Sequence, residues 1–160
     1  CMYVFDAMGN GRSFDAAVQG AKAGGFLEPD PSMDLDGWDT AMKTVIQANT
    51  YWDQTYTLAD VEVQGIRGLT QADMVDAKSK GEVWCMVGRA VQNPDGSLKL
   101  TAGPERVPAD HPLARAHWSD KVLWMRTRTQ GEQVHHCIGA SASSTPGNMY
   151  LDLVTIAREL

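Results

Sequence analysis

The sequence predicts an α+β domain in which helices pack on one face of a largely antiparallel sheet. Three observations carry that prediction. Apolar residues recur every three to four positions through the first half, the period changes to two just after Gly81, and the two-period stretches flank the turn sequences Asn93-Pro94-Asp95-Gly96 and Gln130-Gly131. No repeat or low-complexity segment divides residues 1–160, so they form one domain. At 43% hydrophobic content it is long enough to bury a core.

Each element has its own signal. Tyr3 to Met8 reads as the tail of a helix broken at Gly9-Asn10-Gly11. Ser13 caps the next helix, whose stripe Phe14, Ala17, Val18 and Ala21 ends at Gly24-Gly25. Asp36 reads as an N-cap for a helix from Gly37, with Trp38, Ala41, Met42, Val45 and Asn49 as its buried stripe. Thr57 and Thr70 each stand three residues before an aspartate, Asp60 and Asp73, the pattern of a capping box. Strands follow at Val83 to Val91 and Leu98 to Ala102, then at Lys121 to Thr129 paired with Gln133 to Gly139. A last helix begins at Thr145-Pro146 and should bury Met149, Leu153, Ile156 and Leu160.

Composition excludes several functions. A net charge of -6 leaves no basic footprint for nucleic acid or an anionic membrane. No apolar run is long enough to span a bilayer, and no leader with a basic start is visible. Cys1, Cys85 and Cys137 lack metal-ligand spacing and are odd in number, which fits reduced thiols in a cytoplasm and predicts no metal site.

The stretch from Gly25 to Lys43 is the most informative. Pro29 and Pro31 fix their own φ and bias Glu28 and Asp30 towards extended backbone, so these carboxylates sit on a stiff loop. The helix that follows puts Asp39 and Lys43 one turn apart, at the edge of the buried stripe. A partly desolvated lysine beside a carboxylate there can be tuned for proton transfer. On spacing alone, a surface ion pair worth about 0.3 kcal/mol accounts for the same residues.

Other candidates are weaker. His135 and His136 are adjacent on a strand and point to opposite sides, so they cannot share a metal without distortion. His111 reads as a hydrogen-bonding residue within its own loop, and His117 has no evident partner. The five tryptophans are scattered, as core aromatics are. Residues 139–145 are small and precede a helix N-terminus, where backbone amides can approach an anion or a cofactor; a turn without a ligand explains them equally well.

Several ordered segments together resemble the homoserine dehydrogenases. They are Cys1-Met2-Tyr3-Val4, Glu28-Pro29-Asp30-Pro31 followed by Asp36 and Gly37-Trp38-Asp39 to Lys43, Gly65-Ile66 to Asp73, Val107-Pro108-Ala109-Asp110-His111-Pro112-Leu113-Ala114, and Leu151-Asp152-Leu153 to Arg158. The resemblance covers nearly the whole chain. It implies the mixed-sheet catalytic and dimerisation region of an enzyme that interconverts L-homoserine and L-aspartate 4-semialdehyde with NAD or NADP, in the pathway to threonine and methionine. It further implies that Glu28 binds the substrate ammonium with support from Asp34, that Asp39 and Lys43 bracket the reacting oxygen, and that Gly25 lets the loop backbone approach the nicotinamide ribose. Gly139 lies where the family's glycine run borders the nicotinamide, with Ser141 in place of its next glycine.

The family's nucleotide-binding domain, with its Gly-x-Gly-x-x-Gly turn, has no counterpart in these residues. Because the chain opens inside a family motif, it reads as a fragment, inactive alone, that works beside a separate or upstream nucleotide-binding domain, as a homodimer. The alternative is a standalone, non-catalytic relic that binds an amino acid or a protein partner.

Overall fold

In the computed structural model, which describes residues 1–27, 29–138 and 144–159, local signals set most of the element boundaries. Helices α1 (Met2–Gly9) and α2 (Phe14–Ala23) are separated at Gly9-Asn10-Gly11, and the Ser13 hydroxyl caps α2 by accepting from the Ala16 amide at 3.3 Å. The Thr70–Asp73 capping box starts α5 (Gln71–Ser79). The same pattern at Thr57 and Asp60 starts only a short 3-10 turn, Leu58–Asp60, which leads directly into strand β1 (Val61–Val63). That strand has no clear signal in the sequence, being too short to show a period.

Between α2 and α5 the chain departs from expectation in a second way. A four-residue helix, α3 (Ser32–Leu35), precedes α4 (Trp38–Trp52), and Gly37, not Asp36, is the N-cap of α4. Gly37 has φ +89°, and a Cβ there would lie 2.8 Å from the Gln64 carbonyl oxygen, so both its conformation and its close approach to the chain after β1 require glycine. Asp36 spends its carboxylate on Arg67 instead of on the helix.

Strands β2 (Glu82–Gln92) and β3 (Leu98–Pro108) form a long antiparallel hairpin, and β1 adds to β3 in parallel, giving the mixed order β1-β3-β2. Strands β4 (Lys121–Thr127) and β5 (Gly131–Cys137) pair as expected but form a separate two-stranded sheet. Helices α1, α4 and α5 pack on the face of the larger sheet that carries Trp84, Met86, Ala90, Leu98 and Leu100. The opposite face holds Cys85, Val87 and Val107 under Leu113 and Ala114 of a 3-10 turn, Pro112–Arg115.

Helix α4 buries Ala41, Thr44 and Ala48, while Trp38 and Met42 of the expected stripe are 41% and 37% exposed. The reason is separation. Thr44 packs directly over Gly88 of β2, so the helix lies close to the sheet and only small side chains fit between. Trp118 is also exposed, so the tryptophans are not uniformly core. Helix α6 (Ser144–Glu159) exposes Met149, Leu153 and Ile156, against expectation, and no other element makes an extensive contact with it among the described residues; Leu160 lies outside them.

Candidate active site

The acidic loop is built from its two ends. At the first, Gly25 (φ +71°) closes α2 with paired bonds, its N–H donating to Lys22 O and that of Phe26 to Ala21 O, the pattern that needs a left-handed residue just past a helix. At the second, the Asp30 carboxylate accepts from the Ser32 amide at 3.0 Å, which holds its pKa below the ordinary carboxylate value. Lys22 reaches across to the Pro29 carbonyl at 2.9 Å. Glu28 lies outside the described residues, as do Gly139 and Ser141.

The α3–α4 corner brings the remaining candidates together. Asp34 lies on α3, and the Cys1 thiol donates to its backbone carbonyl at 3.1 Å. Lys43 Nζ lies 2.6 Å from Asp39 Oδ2. The Cys1 backbone nitrogen lies within electrostatic reach of Asp34, Asp39 and Lys43, so these three residues gather around the start of α1 and α4. The corner is pinned from outside by Arg67 on Asp36 and by the Ile66 amide donating to the Leu35 carbonyl at 2.8 Å.

One expectation about Lys43 is corrected. Its side chain is 54% exposed and that of Asp39 is 37% exposed, so the pair is not desolvated by this chain. The face of α4 that carries them points away from the sheet, which is the geometric consequence of burying Ala41, Thr44 and Ala48. Two open clefts flank the patch without including the pair. One, about 380 Å³, lies between α2 and the acidic loop and is lined by Lys22, Asp30, Pro31 and Arg67. The other, about 450 Å³, lies between Gln47, one turn beyond Lys43, and the β4–β5 hairpin.

Two histidines have partners within the fold. His111 Nδ1 accepts from the Leu113 amide at 3.2 Å and its ring packs on Trp124, as its loop position suggested. His136 pairs with Asp120 at 3.2 Å, and no group of three or more His, Cys, Asp or Glu among the described residues could hold a metal ion. At Gly25 an added Cβ would meet nothing within 4 Å, so the backbone there is exposed. Sequence reasoning assigned no role to Arg67, Phe26 or Trp118. Arg67 was visible as a basic residue in a loop, but its partner lies 31 positions away.

The chain is an α+β domain, a small mixed sheet covered on one face by helices, with a carboxylate–lysine pair on its helical side. The Staphylococcus aureus homoserine dehydrogenase structure superposes with a TM-score of 0.89 at 26% identity, covering 98% of this chain and 39% of that one. The homoserine dehydrogenase family profile matches residues 1–154. The chain is 32% identical over 154 residues to an NAD(+)-dependent homoserine dehydrogenase of Pseudomonas canavaninivorans, covering 96% of this chain and 44% of that protein. It is 38% identical over 146 residues to the homoserine dehydrogenase of Methanocaldococcus jannaschii, covering 91% and 42%. The chain therefore belongs to the homoserine dehydrogenase family, and it spans less than half the length of these relatives.

Proposed function

We propose that this chain is the substrate-binding part of an NAD(P)-dependent homoserine dehydrogenase that interconverts L-homoserine and L-aspartate 4-semialdehyde. The observation that carries the reading is the Asp39–Lys43 pair held beside Asp34 at one corner, in a chain of this family. Glu28 and Asp34 supply the negative charge that an amino-acid ammonium requires. Lys43 gives its proton to the aldehyde oxygen in one direction and recovers it in the other, while Asp39 orients the ammonium by its hydrogen bond. The nicotinamide, when bound, supplies or accepts the hydride. Gly25, and in the same reading Gly139 and Ser141, border it.

The exposure of Lys43 supports a shared site. Proton transfer in an open, wet site gains little from electrostatics, so the patch needs a covering surface that this chain does not provide. We assign that role to a nucleotide-binding domain. The exposed apolar residues Met149, Leu153 and Ile156 support assembly as a homodimer, and the free cysteines fit a cytoplasmic protein. No described helix is long and apolar enough to cross a membrane.

The test is hydride transfer measured with L-homoserine and either nicotinamide cofactor, on the protein that carries this chain together with a nucleotide-binding domain. Turnover is expected there and none from residues 1–160 alone. Absence of turnover from the two-domain protein, with activity on a different amino alcohol or none at all, refutes the assignment. Sedimentation tests the dimer separately, and a monomer throughout the micromolar range counts against it.

A further inference from the structure

Trp118 is held in an unusual way for a surface residue. Among the described non-glycine residues only it and Asp53 have positive φ, and a left-handed backbone is uncommon for a bulky side chain. Its turn is closed by the Asp120 amide donating to the His117 carbonyl at 2.8 Å and by the His117 amide donating to the Asp120 carboxylate at 3.3 Å. The same carboxylate pairs with His136, so the turn is tied to β5.

Although 58% exposed, the indole is not idle. Its ring lies 5.9 Å from Phe26 and 6.3 Å from Tyr3, and Phe26 stacks on Tyr3 at 5.1 Å and 23°. Phe26 is thus gripped from two elements distant in sequence, and it stands two residues before Glu28, at the exit of the α2 cap. Most of the surrounding loop is exposed: Gly24, Gly25, Pro29 and Asp30 bury little, so beside the α2 cap and the bonds at Pro29 and Asp30, packing of these rings and of buried Leu27 fixes its course.

We propose that Trp118 is a positioning residue for the acidic loop: its indole presses Phe26 against Tyr3 and thereby sets the backbone that leads into residue 28. The consequence for a substrate rests on the reading above, in which that loop takes the ammonium of an amino acid. The contact is aromatic, so phenylalanine should serve in place of tryptophan, whereas glycine relieves the backbone and removes the ring.

Amide hydrogen exchange on the 160-residue chain separates these effects. In Trp118→Gly the Gly25 and Phe26 amides, bonded to Lys22 and Ala21, should exchange about tenfold faster, with β2 and β3 unchanged and Trp118→Phe close to the parent. Phe26→Leu should give the same local loosening from the other side of the contact. Unchanged exchange at both amides in Trp118→Gly overturns the proposal. If that variant loosens the whole fold, Phe26→Leu decides: local loosening supports the clamp and none overturns it. A parallel titration of L-homoserine into the protein that carries this chain together with a nucleotide-binding domain should show about fivefold weaker binding by Trp118→Gly. If that two-domain parent does not bind L-homoserine, the ammonium reading of the loop fails while exchange still decides the clamp; if binding is unchanged in a loosened loop, the positioning role is overturned.

Discussion

Arg67 holds Asp36 with two bonds, Nε on Oδ1 and Nη2 on Oδ2 at 3.2 Å, and so fastens the break between α3 and α4 to the chain that follows β1. The guanidinium hydrogen bonds keep the Asp36 carboxyl below its ordinary pKa of 3.8. A depressed carboxylate adds stability that is present above the ordinary value and is lost as pH falls through the folded one. Arg67→Ala should therefore return Asp36 to the ordinary range in a carboxyl titration by NMR and remove that acid-dependent contribution. An Asp36 titration unaltered by the substitution would show that the pair does not set it.

Gly37→Ala tests the same corner from the backbone. A Cβ at φ +89°, 2.8 Å from the Gln64 carbonyl, forces either the cap of α4 or the segment after β1 to move. The expected loss is about 1–3 kcal/mol, read from the denaturant midpoint. A shift below a few tenths of a kcal/mol would mean that the turn relaxes freely.

Cys85 gives a prediction at alkaline pH. Burial raises its thiol pKa from 9.0 to about 11. A raised thiol pKa contributes stability that is complete below the unfolded value and is lost as pH rises through the folded one. The chain should thus weaken between about pH 9 and 11, and Cys85→Ala should flatten that limb of the melting-temperature profile. At pH 8 an alkylating reagent should modify exposed Cys137 well before Cys85. Equal reactivity of the two thiols in the folded chain would contradict the burial.

Signals confined to neighbouring residues were legible in the sequence. Ser13, Thr70 and the turn at Asn93 to Gly96 act within three or four positions and gave α2, α5 and the β2–β3 hairpin. What failed depended on partners far along the chain. Asp36 has the chemistry of an N-cap, but Arg67 captures it; β1 exists because β3 is there to pair with it; and the face of α4 was fixed by the flat, glycine-bearing surface of β2, which favours alanine and threonine over tryptophan and methionine. The α6 stripe was read correctly as apolar, yet burial needs a second surface. At the candidate site the i,i+4 geometry of Asp39 and Lys43 followed from the helix alone, whereas their exposure did not.

That exposure sharpens the prediction for Lys43. In the protein carrying both this chain and a nucleotide-binding domain, a Lys43 that exchanges a proton with the substrate oxygen should make Lys43→Ala cost roughly 10²-fold or more in turnover. The fold should be unaffected, because the side chain stands 54% exposed and its removal opens no cavity. Lys43→Arg should fail equally, since a guanidinium keeps the charge and the ion pair but does not release its proton near neutral pH. Asp39→Asn should cost less, because it weakens the hydrogen bond that orients the ammonium at 2.6 Å without removing the transferable proton. A pair that serves only as surface electrostatics gives the opposite order, with Lys43→Arg nearly silent and all three variants mild. Melting temperatures measured alongside turnover separate the two outcomes: unchanged stability with a collapsed rate in Lys43→Arg assigns the proton to Lys43, and a rate in Lys43→Arg close to that of the parent withdraws it.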